Sequence, residues 1–252
     1  MKFLFYIDRI LFKDFFWNNY KKYVIKKIED NYQNNFSIYY ESNHHYEINK
    51  LCEKHKTDKG YLNTDNKRPF KWIPHTYADF YNYQYRNRKK IKNVFELGIG
   101  TPNTMGKKYR AGASLRMWKD YFYSANIYGA DISREYLFEE SRIKTFYCDQ
   151  ANKISIKKMW NKIKKTQFDI IIDDGLHFYK NNICFFESSF HKLTDHGEFI
   201  IEDVSIFDFQ KYFRKYFKKR KIKYYFISLY SNDKIHSDNN LILIKKIENK
   251  KI

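Results

Sequence analysis

The sequence is poor in cysteine and has no long hydrophobic run. Cys52, Cys148 and Cys184 are its only cysteines, and their odd number and scattered positions fit neither a disulfide framework nor a cysteine metal site. No uninterrupted apolar stretch approaches the roughly 20 residues of a membrane-spanning helix. The start, MKFLFYIDRILF, is interrupted by Asp8 and Arg9, and no small-residue cleavage site follows. We therefore expect a cytoplasmic protein whose first residues form an amphipathic element.

Positive charge and aromatic residues are in excess. The formal net charge is +19, and there are 24 Tyr and 23 Phe. A solvated basic surface is the first interpretation of the charge, an anionic substrate the second, and a nucleic acid or an anionic membrane surface the third. Cations concentrate at 21–27, 86–92 and 211–223 without the spacing of a known nucleic-acid-binding module.

The chain changes in character near residue 90. Residues 1–90 are predicted to form a mainly helical segment, because residues such as Phe12, Phe16, Tyr20 and Tyr23 recur at helical spacing. Residues 91–252 alternate strand and helix patterns and end with two strands, KYYFISLYS and NNLILIKK, that have no helix between them. This pattern predicts an α/β, Rossmann-like fold with a seven-stranded, mostly parallel sheet and an antiparallel last strand.

Polar residues at the ends of the first three predicted strands suggest a nucleoside site, since ligands bind at the carboxyl ends of such strands. Gly98, in ELGIG, lets the backbone approach a ligand, Asp131 can accept both ribose hydroxyls, and Asp149 with Gln150 can recognise an adenine amino group. Turn or capping roles for Asp131, Asp149 and Gln150, and a loop-ordering role for Glu96, remain alternatives. The third glycine of the dinucleotide fingerprint is missing, so an adenosyl ligand without a diphosphate, such as S-adenosylmethionine, fits best.

The stretch FDIIIDDGLHFY (168–179) ends a predicted buried strand with two carboxylates and a histidine. Asp173 and Asp174 point to opposite sides, so one can face the cofactor and the other the substrate. The next strand ends with Glu202 and Asp203, and converging carboxylates favour a hard divalent cation such as magnesium. An acidic cluster without metal is the alternative. His177 would overhang the same cleft as a general base, the alternative being a surface or packing role.

Four segments in this order resemble the metal-dependent sugar O-methyltransferases, whose antibiotic-tailoring members include the macrocin and mycinamicin enzymes. These segments are GASLRMWKDYF, RIKTFYCDQ, FDIIIDDGLH and FIIEDV, with KTDKGYL and HTYADFY matching upstream. The resemblance covers about residues 55–205. It implies a class I methyltransferase fold, to which the terminal strand pair also points, with S-adenosylmethionine as methyl donor and a magnesium ion.

The resemblance also implies roles for individual residues. The metal would fall to Asp174, Glu202 and Asp203, the base to His177, and acceptor contacts to His75 and His177. The cofactor contacts would be Thr57, Tyr77, Glu96, Gly98, Ser114, Asp131, Ile132, Asp149, Gln150 and Asp173. The sequence departs from the antibiotic enzymes over residues 1–50 and 101–111, so the acceptor does not follow from the resemblance.

The sequence therefore predicts a magnesium-dependent O-methyltransferase acting on a sugar hydroxyl or sugar-phosphate acceptor. The acceptor is expected to be a small, anionic or nucleotide-linked sugar, in surface or capsule polysaccharide synthesis or natural-product glycan modification. Residues 1–90 would supply lid, acceptor or homodimer contacts. A nucleic-acid methyltransferase is disfavoured because no Asn/Asp-Pro-Pro-aromatic motif and no Pro-Cys pair is present. A non-catalytic interaction protein is the other alternative.

Overall fold

A computed structural model describes most of the 252-residue chain. It covers residues 45–60, 69–70, 72, 74–164, 166–230 and 238–246, the backbone of residues 36–39, and residues 15–16, 19–20, 22–23 and 26. Within these residues no helix has the length and apolar character needed to span a membrane. Phe12, one of the residues at helical spacing, lies outside the described part.

The described residues form one nine-stranded sheet. Its strands are β1 Phe36–Tyr39, β2 Asn93–Leu97, β3 Asn126–Asp131, β4 Glu139–Glu140, β5 Ile143–Tyr147, β6 Phe168–Asp173, β7 Leu193–Ile201, β8 Tyr224–Tyr230 and β9 Asn240–Lys245. The spatial order is β1-β8-β9-β7-β6-β2-β3-β5-β4. Only β9 and β4 run antiparallel to their neighbours. The predicted seven-stranded sheet with an antiparallel last strand is thus confirmed, and β1 and β4 add short strands at its two edges.

The central strands are apolar on both sides because helices cover both faces of the sheet. In β6, Ile170 and Ile172 face one helical layer and Ile171 faces the other, and all three are fully buried. The strand pairs in parallel with β2 and β7. The apolar run ends at the sheet's carboxyl edge, where Asp173 is the last residue of the strand and Asp174 begins a loop.

Seven helices are described from residue 47 onward. They are α1 Glu47–His55, α2 Tyr77–Gln84, α3 Pro102–Met105, α4 Ala113–Tyr121, α5 Lys153–Ile163, α6 Tyr179–Ser189 and α7 (206–220), the last consisting of Ile206–Asp208, the π-helical Phe209–Phe213 and Arg214–Arg220. Helices α1, α2 and α4 share one apolar core. Helices α5, α6 and α7 share the other. Short 3₁₀ turns lie at Arg88–Lys90, Arg134–Tyr136 and Phe190–Lys192.

The described part of residues 1–90 joins both the sheet and the core. β1 pairs in parallel with β8, Ile48 and Cys52 of α1 are fully buried, and the Tyr81 ring of α2 meets Trp118 of α4 edge-on at 4.7 Å. Near the amino terminus, the Tyr20 ring stacks on Phe207 at 5.6 Å. The role of this segment as lid, acceptor or dimer contact stays a prediction.

Candidate active site

A cavity of about 660 Å³ opens at the carboxyl ends of β2, β3, β6 and β7. Most of the predicted site residues line it: Thr57, His75, Gly98, Ser114, Asp131, Ile132, Gln150, Asp174, His177 and Asp203. The other predicted residues lie behind its wall or outside it: Tyr77, Glu96, Asp149, Asp173 and Glu202. The topology therefore gathers most of the predicted residues around one cavity.

The turn after β2 brings two loops close together. Gly98 adopts a left-handed φ of 87°, and a Cβ atom there would lie 2.0 Å from the carbonyl oxygen of Asp174. Its neighbour Ile99 donates its N–H to Asp131 Oδ2 at 3.2 Å, while Asp131 Oδ1 accepts the N–H of Ser133 at 2.8 Å. Asp131 thus orders this turn and also lines the cavity. Its predicted turn role and its predicted contact with a ligand are therefore compatible.

One buried hydroxyl on the cavity wall has no partner among the described residues. Thr57 is 1% exposed, and its Oγ1 atom makes no hydrogen bond there. Burying an unpaired hydroxyl is costly unless a ligand completes its bonding. Ser114, also buried, lines the same cavity. Both hydroxyls can bond a polar ligand group. The cavity therefore fits a cofactor that carries the amino and carboxylate groups of an amino acid.

Gln150 and Asp173 lock the loop that carries His177. Gln150 Nε2 donates to Asp173 Oδ1 at 2.7 Å, and Gln150 Oε1 accepts the N–H of Leu176 at 2.7 Å. Burial raises the pKa of Asp173 to about 6. Asp149 lies apart, on a smaller cleft of about 280 Å³, and accepts the N–H of Ala151. The structure thus ties Gln150 and Asp173 to loop order, and their cofactor contacts stay predictions.

Three potential metal ligands meet at the cavity surface. Asp174, His177 and Asp203 each offer an atom, and these atoms lie within 4.8 Å of one another. His177 Nε2 is 3.6 Å from Asp203 Oδ2. Both of these residues have left-handed backbones, with φ of 51° and 54°, a conformation that clusters at functional sites. Carboxylate oxygens with one imidazole suit a hard divalent cation, so the donor set fits magnesium or manganese.

A buried lysine that the sequence did not single out holds the carboxylates behind this site. Lys59 is 2% exposed, and its Nζ lies 2.7 Å from Asp174 Oδ2 and 3.3 Å from Glu96 Oε1, and also bonds Glu202 Oε2. Tyr81 donates to the other Glu202 oxygen at 2.6 Å. Burial alone would lower the pKa of Lys59, but the three carboxylates raise it well above its usual value. The lysine stands in KTDKGYL, yet sequence spacing gives no sign that it reaches three strand ends.

Tyr77 lies behind Asp203 and fixes it. Its hydroxyl donates to Asp203 Oδ1 at 2.5 Å and accepts the Asp203 N–H at 3.1 Å. The His75 ring stacks on Tyr77 at 4.7 Å, and its Nε2 is 3.5 Å from Asp203 Oδ1. Burial lowers the pKa of His75, but Asp203 and Asp238 outweigh it and raise the pKa to about 10. His75 is therefore a cation beside Asp203 at neutral pH.

Comparison with known proteins places this geometry in context. No protein-family model matches the sequence. The 8-demethyl-8-alpha-L-rhamnosyl tetracenomycin-C 2'-O-methyltransferase of Streptomyces olivaceus is 33% identical over 135 residues, which are 53% of this chain and 34% of that protein. Demethylmacrocin O-methyltransferase of Streptomyces fradiae is 34% identical over 161 residues, 61% of this chain and 38% of that protein. The chain thus matches little more than a third of the length of these relatives.

A solved structure supports the fold. The MycE methyltransferase from the mycinamycin biosynthetic pathway, in complex with Mg and SAH, aligns with a TM-score of 0.57 and 20% sequence identity, covering 80% of this chain and 55% of that chain. The chain has the class I methyltransferase fold, and its sequence resembles the curated O-methyltransferases of antibiotic sugars.

Proposed function

We propose that this protein is an S-adenosylmethionine-dependent O-methyltransferase that uses magnesium or a similar divalent cation and acts on a sugar hydroxyl. One observation carries the proposal: a single cavity joins the glycine turn and Asp131 on one side to Asp174, His177 and Asp203 on the other. The similarity to O-methyltransferases, and to a structure with Mg and SAH, supports it.

The cofactor would lie along the turn after β2. Gly98 allows close backbone approach, Asp131 takes the ribose hydroxyls, and Thr57 and Ser114 bond the amino-acid end. S-adenosylmethionine supplies an electrophilic methyl group when bound. Exposed Ile132 follows Asp131 at the cavity wall and would cover the adenine. These residues bind and orient the cofactor, and none of them takes part in the chemical step.

Asp174 and Asp203 would hold the metal at the cavity surface. A bound divalent cation makes a coordinated hydroxyl more acidic and fixes its position. Glu202, the third predicted ligand, lies behind them with its oxygens bonded to Lys59 and Tyr81.

Whether Glu202 binds the metal directly is tested by comparing Mn²⁺ binding, measured by electron paramagnetic resonance, in Glu202→Gln and Asp203→Asn. Equal losses would make Glu202 a ligand, and a loss only in Asp203→Asn would make it a support.

His177 would accept the proton of the acceptor hydroxyl. Its side chain is 38% exposed and its Nε2 faces Asp203 Oδ2 at 3.6 Å, so the carboxylate can stabilise the imidazolium that forms. The loop bonds of Gln150 hold the histidine over the cavity. Proton removal and methyl transfer thus occur at one oxygen of the acceptor.

The charge around the cavity favours a neutral sugar over a phosphorylated one. The acidic residues among its described lining are Asp58, Asp131, Asp174, Asp203 and Asp238, whereas the cations there are Lys59 and protonated His75. Lys59 is itself occupied by carboxylates. The described cavity lining therefore does not carry the excess positive charge of the whole sequence, and we propose an acceptor sugar without a phosphate group, in surface-polysaccharide or natural-product synthesis.

Calorimetric titration of S-adenosylhomocysteine, with magnesium and then with chelator, tests the proposal first. We expect saturable binding with one site per chain. A radiolabelled methyl-transfer assay over neutral, phosphorylated and nucleotide-linked sugars follows, with magnesium-dependent labelling expected for neutral sugars. Absence of binding under both conditions would contradict the methyltransferase assignment, whereas binding with labelling only of phosphorylated sugars would contradict the acceptor class.

A further inference from the structure

The outer face of α7 is strongly basic. Lys211, Lys215, Lys218 and Lys219 are exposed, and they recur on successive turns of the helix while its apolar side is buried in the core. No acidic residue occurs between Asp208 and Asp233 in the sequence. None of these four lysines forms an ion pair with an acidic side chain in the part of the chain that the structure describes. Their charge is therefore available to an external partner.

Exposed apolar side chains stand at the cavity mouth beside this helix. Leu176 and Phe178 flank His177 and are 48% and 64% exposed. The next residue, Tyr179, stacks on Tyr212 of α7 at 5.0 Å, and the Lys211 ammonium lies 5.0 Å from the Tyr212 ring centre. The apolar rim of the cavity and the basic face of α7 are thus connected through ring contacts and form one surface, which we call the rim–α7 surface.

We propose that the rim–α7 surface docks on an anionic lipid membrane. Lysines near a bilayer are attracted by anionic headgroups, and exposed leucine and phenylalanine side chains gain free energy by entering the headgroup–acyl boundary. Leu176 has no comparable use on a nucleic acid, whose bases stack on aromatic side chains such as Phe178 and not on aliphatic ones. The combination of four lysines with two protruding apolar residues favours the lipid surface.

Docking in this orientation brings the cavity mouth to the membrane. Helix α7 starts only three residues after Asp203, and Leu176 both lines the cavity and belongs to the rim. A sugar attached to a membrane lipid would then meet His177 without leaving the bilayer surface. This consequence for the acceptor rests on the proposed function, whereas the docking itself does not.

Vesicle flotation tests the docking with the full chain. Phosphatidylcholine vesicles and vesicles containing 30% phosphatidylglycerol are compared at about 150 mM salt, where exposed charges still act over roughly 8 Å. The charge variant replaces Lys211, Lys215, Lys218 and Lys219 by Gln. A matched control makes the same charge change on the opposite helical layer, replacing the exposed Lys50, Lys56, Lys89 and Lys90 by Gln. The rim variant is Leu176→Ser with Phe178→Ser.

We expect the unchanged protein to float with anionic vesicles only. The charge variant should lose on the order of 100-fold in partitioning, because each lysine near the surface contributes several-fold, and the control should stay within about twofold. The rim variant should bind more weakly and dissociate at lower salt. Equal losses in the charge variant and the control, no binding to anionic vesicles, or retention on RNA but not on vesicles would each overturn the proposal.

Circular dichroism and S-adenosylhomocysteine binding keep the two proposals separate. Vesicle binding by a protein that does not bind S-adenosylhomocysteine would support docking and contradict the methyltransferase assignment. Binding of S-adenosylhomocysteine without flotation would support the methyltransferase assignment and contradict the docking. If the circular dichroism spectrum shows that the charge variant is unfolded, a competition experiment with the unchanged protein takes its place. Poly-lysine of similar charge is added to the anionic vesicles, and undiminished flotation of the protein would contradict a lysine-mediated contact.

Discussion

At the scale of single residues, Lys59 is the main addition to the expected site. Its ammonium joins the ends of β2, β6 and β7 through Glu96, Asp174 and Glu202, and it is almost completely buried. The positive charge of Lys59 offsets part of the repulsion among these three buried carboxylates.

Replacing Lys59 by Met should destabilise the protein by about 3–5 kcal/mol, since it leaves buried carboxylates without their partner. Urea unfolding in chelator at pH 7.5 measures the change. Lys50→Met, an exposed substitution on the preceding helix α1, is the control and should stay within about 0.5 kcal/mol. A cost below 1 kcal/mol for Lys59→Met would mean that the lysine does not support the carboxylates.

His177→Ala should reduce turnover by about 100- to 10,000-fold, the range for losing a general base. Binding of S-adenosylhomocysteine and of Mn²⁺ should stay within about threefold, because the base touches only the acceptor. His191→Ala, an exposed histidine outside the cavity lining, is the control. A matching fall in Mn²⁺ affinity would instead identify His177 as a metal ligand.

Glu96 should make stability depend on pH. Burial raises its pKa from 4.5 to about 7, with Lys59 partly opposing the rise. A carboxyl with a raised folded pKa stabilises the fold fully below pH 4.5, and this contribution is lost as the pH rises to about 7. In chelator, Glu96→Gln should remove up to about 3 kcal/mol of that decline. Thermal unfolding of Glu96→Gln at several pH values measures this change, and the exposed Glu53→Gln is the control. If stability falls equally with pH in the unchanged protein and in Glu96→Gln, Glu96 does not have a raised pKa.

At the scale of elements, the junction of β2 with its following turn is the most constrained point. Gly98 has φ 87°, and the Asp174 backbone leaves no room for a Cβ atom. At Gly129 of β3 a Cβ would instead meet the movable side chain of Leu115 at 2.5 Å. The two glycines therefore differ in what must move to admit a methyl group.

Gly98→Ala should abolish measurable S-adenosylhomocysteine binding and lower stability by about 2–4 kcal/mol, because both the left-handed backbone and the loop contact are lost. Gly129→Ala should keep binding within about fivefold, since Leu115 can shift. Calorimetry and urea unfolding of both variants provide the comparison. Equal effects on binding would show that the glycine turn is not part of the cofactor site.

The sheet and most of the cavity followed from the sequence because strand periodicity and carboxyl-end residues are local signals. FDIIIDDG and GEFIIEDV predict their own strands and place Asp174 and Asp203 at one edge without knowledge of distant contacts. The role of Lys59 depends on how the loop after α1 packs against the ends of three strands, which no local pattern encodes. Strand β1 is likewise short and set in an aromatic, Asn-rich stretch, so its pairing with β8 was not predicted.

At the scale of the whole molecule, charge is separated by location. The net charge is +19, yet the described cavity lining is acidic and the outer face of α7 is basic. The expectation of an anionic acceptor came from the total charge and stays a prediction. Among the described residues, the fold shows that the lysines of α7 and the lining of the cavity belong to different surfaces.

Ligand binding should stabilise the whole chain. At a free S-adenosylhomocysteine concentration 100 times its Kd, the free energy of unfolding should rise by about 2.7 kcal/mol. Thermal unfolding with and without the ligand measures this, and Gly98→Ala is the matched control that should show no rise. An equal rise in that variant would place the ligand away from the β2 turn.

The pairing of β1 with β8 has a consequence for how the chain is made. β1 lies at one edge of the sheet, and its partner follows it by about 190 residues. At 5–20 residues per second, a ribosome needs about 10 seconds or more to deliver β8 after β1 has emerged. During that time the first strand has no partner strand, so the sheet is completed at its β1 edge only after β8 has been made.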